Sequence, residues 1–158
     1  MLENEGGADF LPMKLATVLI VSSLILVTVA TYALEVAGQW SKASARACAS
    51  RIVAVAEAEY SDVARGGAHL TVTVPDSVIN ITFRRVPANF QAGASGEYSI
   101  RYADGSEELH VSGVPFGSGN VESGCSEPVV LYPGRYSIRI ATEEVGDMTM
   151  ALIYSEAA

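Results

Sequence analysis

LATVLIVSSLILVTVATYAL, from Leu15 to Leu34, is a run of 20 residues without a charge, bounded by Lys14 and Glu35. A helix of that length rises about 30 Å, the hydrocarbon thickness of a bilayer. Eleven positions are Leu, Ile or Val; at about −0.3 to −0.6 kcal/mol each they contribute roughly −3 to −7 kcal/mol to insertion. Thr17, Ser22, Ser23, Thr28 and Thr31 reduce this sum, although each hydroxyl can bond back to a carbonyl one turn earlier. Insertion remains favoured. A cleaved secretory signal is the competing reading. It wants basic residues where Glu3, Glu5 and Asp9 stand, a shorter apolar stretch, and a better small-x-small site than Thr31-Tyr32-Ala33.

After Glu35 the helical period continues. Val36, Trp40, Ala43, Ala47, Cys48, Ile52, Val55, Ala56, Tyr60 and Val63 recur at three- and four-residue steps, with Gln39, Lys42, Arg46, Arg51, Glu57, Glu59, Asp62 and Arg65 on the opposite face. Pro12 is tolerable in a first turn, Gly38 costs about 1 kcal/mol without ending a helix, and Gly66 and Gly67 supply the stop. Pro12 to Arg65 therefore reads as one helix of 54 residues, about 80 Å long. The alternative is a break near Gly38; with no proline or polar linker between the halves, continuity is favoured.

Beyond Gly67 the period changes to alternation. His69 to Val74 places Leu70, Val72 and Val74 on one face, and Pro75-Asp76-Ser77 turns the chain into Val78 to Phe83, a hairpin candidate. Tyr98 to Tyr102 and Glu107 to Val111 flank Asp104-Gly105, a strong hairpin signal. Val129 to Tyr132, Arg135 to Ala141 and Met148 to Tyr154 complete six or seven strands, with Val86 to Gly96 and Gly113 to Pro128 as long loops. The expected class is α+β: a long N-terminal apolar and amphipathic helix, 8–65, then an antiparallel sheet or small sandwich, 66–158.

The chain has 158 residues with 18 acidic and 10 basic side chains, a net charge of −8. That balance argues against nucleic acid, which needs a basic patch to release counterions. His69 and His110 have no Cys, His or Asp spacing of a zinc or haem site around them. Glu107 with Glu108, and Glu143 with Glu144, are strand neighbours that point to opposite faces, and they read as solvated. There is no phosphate loop, nucleophile elbow or calcium loop, so no cofactor is expected and enzyme activity is not expected.

An apolar N-terminal helix that runs on as an amphipathic helix to about residue 65 and is followed by a β domain resembles the type IV pilin family. Met1 to Gly7 resembles its leader, with Gly7 and Ala8 as the cleavage candidate. In bacterial members the fifth mature residue is usually Glu; counted from Ala8 it is Pro12, and the basic residue common before the cleavage site is absent. Archaeal pilin-like subunits, which usually lack that Glu and often have a proline there, are the better resemblance. The resemblance implies a homo-oligomeric surface filament whose helices leave the membrane and bundle as a core, with the β domains outside. Lys14, Leu15, Leu19, Ser22, Leu26, Ala30, Ala33 and Trp40 are then the helix-packing candidates, with Asp9 as a charge partner for Lys14. Small residues among them permit close backbone approach. The alternative is a single-span anchored binding or adhesion module using the two long loops as its recognition surface.

Cys48 and Cys125 are a disulfide candidate in an exported domain; closing their separation stabilises by about 4 kcal/mol in the chain-entropy model. The alternative is a buried free thiol on the helix and an unrelated loop thiol. Asn80-Ile81-Thr82 is a glycosylation candidate.

Overall fold

The computed structural model describes residues 10–61, 66–86, 95–120, 127–145 and 148–158. Its single helix among them, α1, spans Phe10–Ser61, and eight strands follow: β1 Ala68–Val74, β2 Val78–Val86, β3 Ser95–Tyr102, β4 Glu107–Ser112, β5 Phe116–Ser118, β6 Val129–Leu131, β7 Gly134–Val145 and β8 Met148–Ala157. The class is α+β, a long N-terminal helix followed by two sheets. The chain divides into two compact units, Met1–Trp40 and Ser41–Ala158. Of the first, the described part is helix alone.

The second unit contains two four-stranded sheets, one ordered β1-β7-β8-β5 and the other β4-β3-β2-β6. Alternation decides which face each strand buries. On β1, Leu70, Val72 and Val74 point inward, as do Ile138 and Ile140 of β7 and Ile153 of β8. Across from them Ile81 and Phe83 of β2, Ile100 and Tyr102 of β3 and Leu131 of β6 complete the core. Phe116 closes one end, its ring edge-on to Phe83 at 5.6 Å. The β3–β4 hairpin forms as its Asp-Gly signal predicts. Gly105 sits at φ 83°, where a Cβ would be strained, and its amide donates to the Tyr102 carbonyl at 3.0 Å.

Residues 41–61 of α1 pack into this core. Ala45, Ala49, Ile52 and Ala56 are fully buried, in one cluster with the core residues of the strands. Lys42 and Arg46, one turn apart, anchor it to the β3–β4 hairpin. Lys42 Nζ pairs with Asp104 at 2.7 Å, and Arg46 makes a two-point bond to Glu108 at 2.8 and 2.5 Å.

Four expectations are corrected. First, β1 and β2 do not form a hairpin: the turn closes, Val78 N donating to Pro75 O at 3.1 Å, but β1 pairs with β7 and β2 with β3 and β6 in the other sheet. Alternation specifies a buried face, not the neighbouring strand. Second, the stretch read as the loop 113–128 contains β5, buried throughout and paired in parallel with β8, which makes that sheet mixed. Third, the buried stripe of 41–61 is rotated from the expected one. Ala43 and Ala47 are exposed and Trp40 is 75% exposed, whereas Val53 and Glu59, the latter expected on the polar face, are buried. Fourth, Glu108 is not simply solvated, because it faces the helix and pairs with Arg46. Val63 and Arg65 lie outside the described residues.

Candidate functional site

The feature set apart from the core is the first half of α1. Leu15, Leu19, Leu24, Ile25, Leu26, Val27 and Leu34 are each more than half exposed, and the rest of the run is exposed as well. Among the described residues none covers this stretch, and water around so many large apolar side chains is costly. Within Pro12–Ser61 an 18-residue window has a mean hydropathy of 2.2, with none of it buried; by length and composition this helix can cross a membrane.

Its polar atoms are arranged consistently with that. Thr17 Oγ1 donates to the Met13 carbonyl at 2.9 Å, Thr28 to Leu24 at 2.9 Å and Thr31 to Val27 at 2.8 Å, while Ser23 donates to Ile20 at 2.8 Å. These hydroxyls are therefore satisfied within the helix and add little to the cost of an apolar environment. The helix-packing candidates Lys14, Leu15, Leu19, Ser22, Leu26, Ala30, Ala33 and Trp40 are all exposed. Asp9, Gly7 and Ala8 lie outside the described residues.

The anchor of 41–61 on the hairpin is electrostatic as well as apolar. The Arg46 guanidinium, hydrogen-bonded to Glu108, lowers that carboxyl from 4.5 to about 2, with burial opposing the shift. Lys42, and then Ser106, hold Asp104 below its ordinary range. Lys42 also lies 4.9 Å from the centre of the Tyr102 ring. Further along, Ser112 Oγ donates to Glu57 Oε1 at 3.2 Å, and His110 stacks on Tyr98 at 4.8 Å. None of these contacts was read from the sequence. The only signal was that Lys42 and Arg46 stand one helical turn apart, as Asp104 and Glu108 flank a two-strand turn.

The other candidates are dispersed. Cys48 is a buried free thiol, its pKa raised by burial, and Cys125 lies outside the described residues. Asn80 is half-buried on β2, alternating with the buried Ile81 and opposite Arg101, so it sits on the outward face of its sheet. His69 is exposed on β1. Of the two long loops, 87–94 and 121–126 lie outside the described residues. Among the described residues no three His, Cys, Asp or Glu side chains are grouped to hold a metal ion. Comparison with protein-family models, with curated proteins and with solved structures finds no match to this chain.

Proposed function

We propose that the chain is a structural subunit of a type IV pilus-like cell-surface filament, held in the membrane by its N-terminal helix before assembly and carrying its β domain on the outside. The observation that carries this reading is the division of labour along α1. Residues 41–61 are committed to the domain core, whereas 15–34 present an apolar surface that their own subunit leaves uncovered. Lipid satisfies such a surface first, and sister helices can replace lipid, because Ala16, Ser22, Ala30 and Ala33 let backbones approach. In this reading Lys14 lies near the filament axis, where a charge needs an opposite charge close by. No catalytic role and no nucleic-acid partner belong to it.

The test is Val27→Lys in cells. A lysine at the centre of the span costs about 3 kcal/mol relative to valine, a large share of the roughly 3 to 7 kcal/mol that favours insertion. The expected result is loss of both membrane retention and surface filaments in sheared material viewed by electron microscopy. Retention in detergent-extracted membranes, with no filament containing the wild-type chain, would instead favour a single-span anchored module and end the filament reading.

A further inference from the structure

The outward face of the β1-β7-β8-β5 sheet carries a concave polar site unrelated to the helix. His69 on β1, Arg139 on β7 and Tyr154 on β8 are register partners across three adjacent strands. One row further along, Ser137 stands opposite Glu156. The rows are two residues apart, about 6.7 Å along the strand. With Asn120, these side chains line a groove of about 190 Å³. That is below the roughly 300 to 1,000 Å³ of sites for drug-sized ligands, so its occupant is no larger than a free amino acid.

The walls are held in place by the protein itself. Tyr154 Oη donates to Glu143 Oε1 at 2.7 Å, and Gly119 passes so close that a Cβ there would lie 2.5 Å from the Tyr154 ring. Asn120 Nδ2 donates to the Ser155 carbonyl at 2.8 Å, and the Arg139 guanidinium lies 5.3 Å from the centre of the Tyr154 ring. Among the described residues, neither the Arg139 guanidinium nor the Glu156 carboxylate is in an ion pair. The groove thus carries one cationic group, Arg139, and one anionic group, Glu156, on adjacent rows and in no ion pair among the described residues.

We propose that this groove binds a small zwitterion of the α-amino-acid class. Arg139 and His69 receive its carboxylate, Glu156 receives its ammonium, and Ser137 and Asn120 supply neutral hydrogen bonds between them. A simple anion would meet Glu156, and a simple cation would meet Arg139; only a ligand carrying both charges satisfies both rows. The site is open to water, where each charge contact is weak, so dissociation constants fall in the millimolar range. The proposal does not depend on filament assembly.

The test uses the full chain in detergent micelles, followed by nitrogen–proton correlation spectra during titration with L-alanine, propionate and ethylamine. The expected result is saturable shifts confined to residues around Arg139 and Glu156 with L-alanine, and binding weaker by at least about tenfold for the two single-charge probes. Arg139→Gln and Glu156→Gln should each weaken L-alanine binding by a similar factor, with Glu107→Gln, on the other sheet, unchanged. Equal binding of propionate or ethylamine would overturn the zwitterion assignment. Absence of saturable shifts in the wild-type chain would overturn the site.

Discussion

Ile52→Ala and Leu26→Ala remove comparable branched side chains from the same helix, and the structure predicts opposite consequences. Ile52 is fully buried in the core of the β domain, whereas Leu26 is 71% exposed. Truncating a fully buried Ile or Leu costs about 2 to 5 kcal/mol, the lost transfer energy plus the cavity left behind. Ile52 is fully buried in a core that draws on the helix and both sheets, so a middle value of about 3 kcal/mol is expected. For a chain of this size that lowers Tm by roughly 6 to 12 °C. Leu26→Ala removes an exposed side chain outside the β domain, so that domain should change by less than about 0.5 kcal/mol. The assay is thermal unfolding of the full chain in detergent micelles, followed by the near-ultraviolet circular dichroism of the aromatic core. A Leu26→Ala loss equal to that of Ile52→Ala would refute the division of α1, as would an Ile52→Ala protein of wild-type stability.

Three other outcomes follow from named contacts. Glu108 titrates at about 2 in the folded protein against an ordinary 4.5, so its contribution to stability is present above pH 4.5 and is lost as pH falls toward 2; urea unfolding of Glu108→Gln across that range should lack this part of the acid slope. Gly96→Ala would place a Cβ 2.2 Å from the Val114 carbonyl and 2.6 Å from the Phe116 ring, and should destabilise by about 1 to 3 kcal/mol in the same unfolding assay. Ala49→Leu would overfill the fully buried helix–sheet contact and should cost about 1 to 3 kcal/mol, whereas Ala43→Leu, on the exposed face, should be close to neutral.

What was legible in the sequence depended on whether the signal is local. The run 15–34 announces itself by length and lack of charge, and Asp104-Gly105 by the backbone conformation that Gly105 alone tolerates. The helical period of 41–61 was visible, but its phase was not. Alanines at 43, 45, 47 and 49 have the same hydropathy, and which of them is buried depends on packing against strands far along the chain, as the pairing of Arg46 with Glu108, 62 residues away, illustrates. For β5 the difficulty is its three residues, Phe-Gly-Ser, which carry no period and owe their place to Phe116 filling the core and to β8 alongside. Strand order was equally hidden, because clean alternation in β1 and β2 is what either a hairpin or two facing sheets would require. The polar groove is the extreme case: His69, Asn120, Arg139 and Glu156 share no motif and meet only through the register of β1, β7 and β8.

The central claim is that the uncovered half of α1 is covered in the working state by the same segment of other copies. Electron cryo-microscopy of filaments sheared from cells expressing this chain tests that most directly. The account predicts a central bundle of helices containing 15–34, with small residues at the closest helix crossings and the β domains outermost. A filament whose subunits touch only through their β domains, with 15–34 absent from its core, would contradict it.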